Sequence, residues 1–288
     1  MTKKVKNPTQ SIKIPSIIIL SCKICALISK KLVTQYAAKL FETPIKHKIP
    51  KRELEMDRKS IQKLLFVPAI EKTVITYEYG QSPKKALLVH GWSGRGTQLF
   101  KIADELIKKG YSIVSFDAPA HGKSKGSTAT MADFIATILE IEKQYGPFEI
   151  IIGHSLGGMS VLNAIKRGFK VNKAIVIGSG DIVQDIVDDF ITKLELKSEI
   201  SQRLRNHFEN KYNLVMDDFS AYKAAKTIDI PVLVIHDKDD PEVSVKAGIH
   251  IHENLPNGTL FLTEGLGHRK ILGNQNVIKK TLEFIEAS

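Results

Sequence analysis

From Val74 onward, short apolar runs alternate with stretches of helical periodicity. The runs are Val74–Tyr79, Ala86–His90, Ser112–Phe116, Glu149–Ile152, Ala174–Ile177, Val232–His236 and Thr259–Leu262. Most are rich in Val, Ile and Leu with little polar alternation, the pattern of strands buried on both faces. Separated by amphipathic helical patterns, they predict an α/β fold: a mostly parallel central sheet with helices on both faces. One interval breaks the rhythm, because about fifty residues separate Gly178 from Pro231. Val183, Ile186, Val187, Phe190 and Leu194 form one apolar stripe there, and Ile200, Leu204 and Phe208 begin another. An insertion at this point leaves the carboxyl end of a strand, the side on which open α/β sheets bind ligands. Residues 181–228 therefore read as a small helical cap, with 70–180 and 229–288 as the core; the alternative is extra helices packed away from the site.

The N-terminal pattern differs. Ile17 to Ile28 is apolar almost all round, broken by Lys23, and as a helix it rises only about 18 Å, against ~30 Å for a bilayer's hydrocarbon core. No span is expected, and no clean small-x-small cleavage site follows. From Ile28 to Phe41 the pattern becomes amphipathic, with Ile28, Leu32, Val33, Tyr36, Ala37, Leu40 and Phe41 on one face. Residues 1–48 thus read as a basic helical extension. The proline- and charge-rich stretch after Thr43 leads into a connector, taken as residues 49–69. Two seats stay open for the helix: packing on the body, or peripheral contact with an anionic membrane surface.

Charge sharpens this division. The formal net charge is +11, yet residues 1–60 hold 14 of the 42 Lys+Arg and only 4 of the 31 Asp+Glu. The remaining body is nearly neutral, so no nucleic-acid face is expected. Both cysteines, Cys22 and Cys25, lie in the apolar run without a second ligand pair, and read as small apolar fillers rather than a zinc or redox site. A cytoplasmic location, with the extension as the route to a membrane, is the expectation.

The candidate chemistry begins at Gly153-His-Ser-Leu-Gly157, directly after the run ending at Ile152. A serine at a sharp strand-to-helix turn, with glycines keeping the corner free of side chains, is a nucleophile elbow. Ser155 needs a base to take its proton. Of the nine histidines, His268 follows a predicted strand through the glycine-flanked loop Glu264–Gly267, and it comes after the serine and an acid in chain order. Asp237, Asp239, Asp240 and Glu242 crowd one turn, and any of the aspartates could orient the imidazole. Leu156 N–H, at the start of the predicted helix, is a candidate donor to a developing oxyanion. The acidic turn lacks the glycine and terminal glutamate of a calcium loop. Gly122-Lys123-Ser124 lacks the first glycine of a phosphate-binding loop, and Gly91, Gly94 and Gly96 have the wrong spacing for a dinucleotide. No metal and no cofactor are expected.

Four motifs in order, His90-Gly-Trp92, Asp117 to Ser124, Gly153 to Gly158, and His236 to Val243 followed by Gly265 to His268, resemble the α/β-hydrolase superfamily over roughly residues 70–286. The likeness is greatest to its capped serine esterase and monoacylglycerol-lipase branch. It implies a catalytic triad of Ser155, Asp240 and His268, with Asp240 chosen by the family's strand-end turn and Asp237 left to hold the turn. It further implies an oxyanion hole from the backbone N–H groups of Trp92 and Leu156, and hydrolysis of a carboxylic ester in a small-molecule acyl substrate through an acyl-enzyme. Amide, thioester or carbon–carbon bond hydrolysis by the same triad, and a non-catalytic membrane- or partner-binding module, are the alternatives.

Overall fold

A computed structural model describes residues 14–287. In chain order the main elements are α1 (Ser16–Ile28), α2 (Lys30–Glu42), α3 (Leu54–Lys59), β1 (Ile61–Val67), β2 (Lys72–Tyr79), β3 (Lys85–Val89), α4 (Phe100–Lys108), β4 (Ser112–Asp117), α5 (Met131–Tyr145), β5 (Ile150–His154), α6 (Leu156–Lys166) and β6 (Lys173–Ile177). There follow α7 (Val183–Lys193), α8 (Glu199–Tyr212), α9 (Ala221–Ala225), β7 (Val232–Asp237), α10 (Val245–Glu253), β8 (Gly258–Thr263), α11 (Gly267–Lys270) and α12 (Gln275–Glu286).

The strands form one eight-stranded sheet in the order β1-β2-β4-β3-β5-β6-β7-β8. Strands β3 to β8 run parallel, while β2 is antiparallel to both of its neighbours. Alternation along each strand feeds two cores. Ile151, Val176 and Val234 point to the face covered by α5, α6 and α9, and Ile150, Ile152, Ile175 and Ile235 to the face covered by α4 and α12. A third apolar cluster lies outside the sheet. Val187, Ile191 and Leu194 of the α7 segment and Ile200, Leu204 and Phe208 of α8 pack with Cys22, Val33, Ala37 and Ala38.

The N-terminal helix therefore packs on the body, through the inserted helices. It is also two helices rather than one, because Ser29 stands between them in extended conformation (φ −162°, ψ 133°) and its side chain accepts from Lys31 N, an N-cap interaction. Burial pushes the Cys22 thiol up to about 11, as suits a neutral filler rather than a thiolate ligand. Residues 49–69 are not a bare connector: they carry α3 and the edge strand β1, paired along its length with β2. From α2 the chain stays close to the body. The Glu42 carboxylate, itself buried, accepts from Lys211 Nζ and Tyr212 Oη, its carbonyl accepts from Ala129 N, and Ile45 N donates to Ser93 Oγ.

Because the hairpin of α1 and α2 shares a dry cluster with α7 and α8, Leu204→Ala should cost about 2–5 kcal/mol, the range for a fully buried leucine. Equilibrium urea unfolding monitored by far-UV circular dichroism measures it, and a cost below about 1 kcal/mol would show that this cluster is loosely held.

Candidate active site

Strand β5 delivers the chain into a corner that only small residues fit. A Cβ on Gly153 would lie 2.5 Å from Gly157 O, and one on Gly157 would lie 2.5 Å from both Val89 O and His90 O. Between them Ser155 takes φ 54°, ψ −122°, a conformation sparsely populated by L-residues and typical of a nucleophile elbow. Its N–H is anchored to Ile177 O at 3.0 Å, so the serine sits over the end of β6.

The loop after β3 lies on the other side of Ser155, where a Cβ on Gly91 would come within 2.9 Å of Ser155 Cβ. His90 sets the orientation of this loop. Its Nε2 accepts from Ala118 N at 3.0 Å, so the proton must reside on Nδ1, which donates to Gly91 O at 2.7 Å. Burial holds His90 down to about 4, in keeping with that neutral tautomer. Across a trans peptide the N–H opposes the C=O, so fixing Gly91 O toward His90 turns Trp92 N–H the other way. Gly91 N donates to Gln98 Oε1, and Gly96 N to the buried Asp117 carboxylate at 2.7 Å, closing the loop on itself and on β4. Leu156 N–H is at the first position of α6, where no intrahelical acceptor exists.

Behind Ser155, His268 Nδ1 lies 2.7 Å from Asp240 Oδ2. Asp240 Oδ1 accepts from Glu242 N at 2.8 Å and Val243 N at 3.0 Å. Burial would raise the Asp240 pKa, but the His268 hydrogen bond and charge and these two amides outweigh it and hold the carboxyl below its ordinary value. Gly178, at φ 56°, provides the floor: a Cβ there would stand 3.3 Å from His268 Nδ1 and 3.6 Å from Asp240 Oδ2. Ser155 follows the partner of Ile177 in the sheet register, and Gly178, the residue after Ile177, faces His268 and Asp240. Among the described residues, Ser155 Oγ and His268 Nε2 are not joined by a hydrogen bond, a separation common in substrate-free hydrolytic sites. Glu242 Oε2 lies 3.9 Å from His268 Nε2, while its Oε1 is 3.3 Å from an Arg269 guanidinium nitrogen.

Asp237 does not touch the imidazole. Fully buried at the end of β7, it accepts from Asp239 N, Leu266 N, Gly267 N and Thr263 Oγ1. Burial alone would raise its pKa, yet these bonds hold it below the usual value. Its task is to tie the His268 loop to the turn bearing Asp240. A second such tie is His154, the variable residue of the elbow. Its Nε2 lies 2.9 Å from His268 O and its ring 4.7 Å from the His268 ring. Burial, then the neighbouring His268, hold its pKa down to about 3. Nothing in the local pattern announces His154 or Gly178 as part of this arrangement; only the register of β5 against β6 brings them to it.

Comparison with known proteins agrees with this fold. The model of the "Alpha/beta hydrolase family" matches residues 86–208. A non-heme haloperoxidase of Rhodococcus erythropolis is 24% identical over 274 residues, covering 77% of this chain and 99% of that protein. An (E)-2-((N-methylformamido)methylene)succinate hydrolase of Acinetobacter baylyi is 24% identical over 236 residues, covering 68% and 88%. Among solved structures, a Pyrococcus furiosus esterase superposes with a TM-score of 0.65 at 17% identity, covering 85% of this chain and 97% of its own. A putative lipase of Acinetobacter baumannii gives 0.62 at 21%, covering 83% and 97%.

A carboxyl whose pKa is lowered by folding stabilises the folded state above its unfolded value and loses that contribution as pH falls through the folded one. Asp237 starts from an ordinary value of 3.8 and is shifted down. Asp237→Asn should therefore be less stable than wild type at pH 6, with the gap narrowing as pH drops below 3.8. Urea midpoints across that range test this; a gap that stays constant would remove the ionised carboxylate from the account.

Proposed function

We propose that the chain is a serine hydrolase of the α/β-hydrolase superfamily, cleaving a carboxylic ester through an acyl-enzyme intermediate. One observation carries the reading: Ser155 N is bonded to Ile177 O at the end of β6, and the next residue, Gly178, faces the His268–Asp240 pair. In this reading Ser155 Oγ attacks the carbonyl carbon while His268 Nε2 takes its proton. This step requires Ser155 Oγ to come within hydrogen-bond reach of His268 Nε2 when substrate is bound. Asp240 keeps the Nδ1 proton in place and stabilises the imidazolium that forms. Trp92 N–H and Leu156 N–H take up the negative charge on the carbonyl oxygen, each such donor worth about 2.7–4 kcal/mol in the transition state. His268 then protonates the departing alcohol, and the same base activates water to release the acid.

The direction held by the Gly91–Trp92 peptide supports the oxyanion assignment, and the depressed pKa of Asp240 supports its role as a permanently charged partner. The triad is equally suited to amides, thioesters and some carbon–carbon bonds, and a panel of acyl substrates sorts among them.

Ser155→Ala and His268→Ala should each lower kcat by roughly 10⁶-fold, and Asp240→Asn by roughly 10⁴-fold. A fluorophosphonate probe followed by peptide mass mapping checks the nucleophile directly. Rapid modification at Ser155 is expected in the wild type and none in Ser155→Ala. A folded wild-type protein that takes no label would end the hydrolase reading in favour of a non-catalytic module.

A further inference from the structure

Helix α1 has two apolar faces, and only one of them is covered. Ile14, Ile18, Cys22 and Cys25 turn inward to the cluster shared with α2 and the inserted helices. Ile17, Leu20, Ile24, Leu27 and Ile28 turn outward, with Leu27 87% exposed and Ile17 75%. Their positions follow the helical period, giving a continuous stripe about 16 Å long, and exposed Leu32 extends it onto α2. Contiguous apolar patches of this kind on a soluble body mark an interaction surface.

We infer that this face docks on an anionic lipid surface, with α1 lying in the plane of the interface. Charge decides the occupant. Residues 1–41 contain eight lysines and no Asp or Glu. Lys23 and Lys30 are spent on Glu195 and Glu199, bonds that fix the hairpin to the inserted helices and so fix the direction in which the stripe faces. Lys31 is exposed, and Lys3, Lys4, Lys6 and Lys13 stand just before α1 in the sequence. A second copy seated on the stripe would bring two such lysine sets together, whereas lipid phosphates and carboxylates would neutralise them. No helix among the described residues is long and apolar enough to cross a membrane. An apolar stripe with lysines around it on a helix of this length is the pattern of a surface-seated anchor. The inference is independent of the chemistry at Ser155.

Vesicle co-sedimentation of the full chain tests it, with phosphatidylcholine alone and with added phosphatidylserine. Binding to the phosphatidylserine vesicles in low salt is expected, weakening as salt rises and falling roughly fivefold in Lys31→Gln. The double variant Leu20→Glu, Leu27→Glu should bind at least roughly tenfold more weakly. Both side chains are exposed in α1 and glutamate is a good helix former, so its unfolding midpoint and its hydrolysis of a soluble ester should match wild type. Wild type left in the supernatant at low salt, or a double variant that pellets as well as wild type, would overturn the inference. So would a wild-type dimer in sedimentation velocity that the double variant converts to monomer, which would assign the stripe to a second copy.

Discussion

The site depends first on how closely the backbone approaches itself where β5 turns into α6. Gly153, Gly157 and Gly158 each stand where a Cβ would meet main chain or a packed side chain at under 3 Å. That crowding leaves Ser155 no ordinary conformation, and the left-handed geometry it adopts costs on the order of 1–3 kcal/mol. The surroundings hold it. Ile150, Ile151 and Ile152 are buried on both faces of the sheet, and α6 is buried from Gly157 to Ala164. Relaxing the corner would mean shifting a central strand and a central helix together.

Around this fixed point the polar groups are divided by task. Asp237 ends β7 and Asp240 lies three residues beyond, and they differ in what they receive. Asp237 takes its bonds from one hydroxyl and three amides of neighbouring loops, whereas Asp240 takes two amides and an imidazole. The first makes the loop rigid; the second meets the ring that would carry a proton. His90 and His154 do similar work from the other side, His90 through both ring nitrogens, to Gly91 O and Ala118 N, and His154 through one, to His268 O. Both are neutral by burial, so neither adds a competing cation beside His268.

The parallel sheet was legible because each buried strand is a short run of aliphatic residues, and the elbow because its glycines are local in sequence. Strand β1 was not. Ile61, Leu64 and Phe66 are exposed and Gln62 and Lys63 intervene, so the segment shows no alternation, and its pairing with β2 comes from tertiary structure. The break at Ser29 was hidden for another reason: apolar periodicity runs straight through it, and the cap rests on one side-chain bond to Lys31 N. Order and spacing made Ser155 and His268 candidates and the family resemblance alone singled out Asp240, but the parts played by Gly178 and His154 were not legible. Those depend on which residues two strands place side by side.

The pairing of Lys30 with Glu199 spans 169 residues of chain. At a translation rate of about 5–20 residues per second, roughly ten to thirty seconds pass between the emergence of the first helices and that of the surface they pack against. Throughout that interval the inner face of the hairpin is as bare as its outer one. In vectorial synthesis this segment therefore waits long for its cover, and completing the inserted helices is what first puts half of it out of reach of chaperones, proteases and other nascent chains.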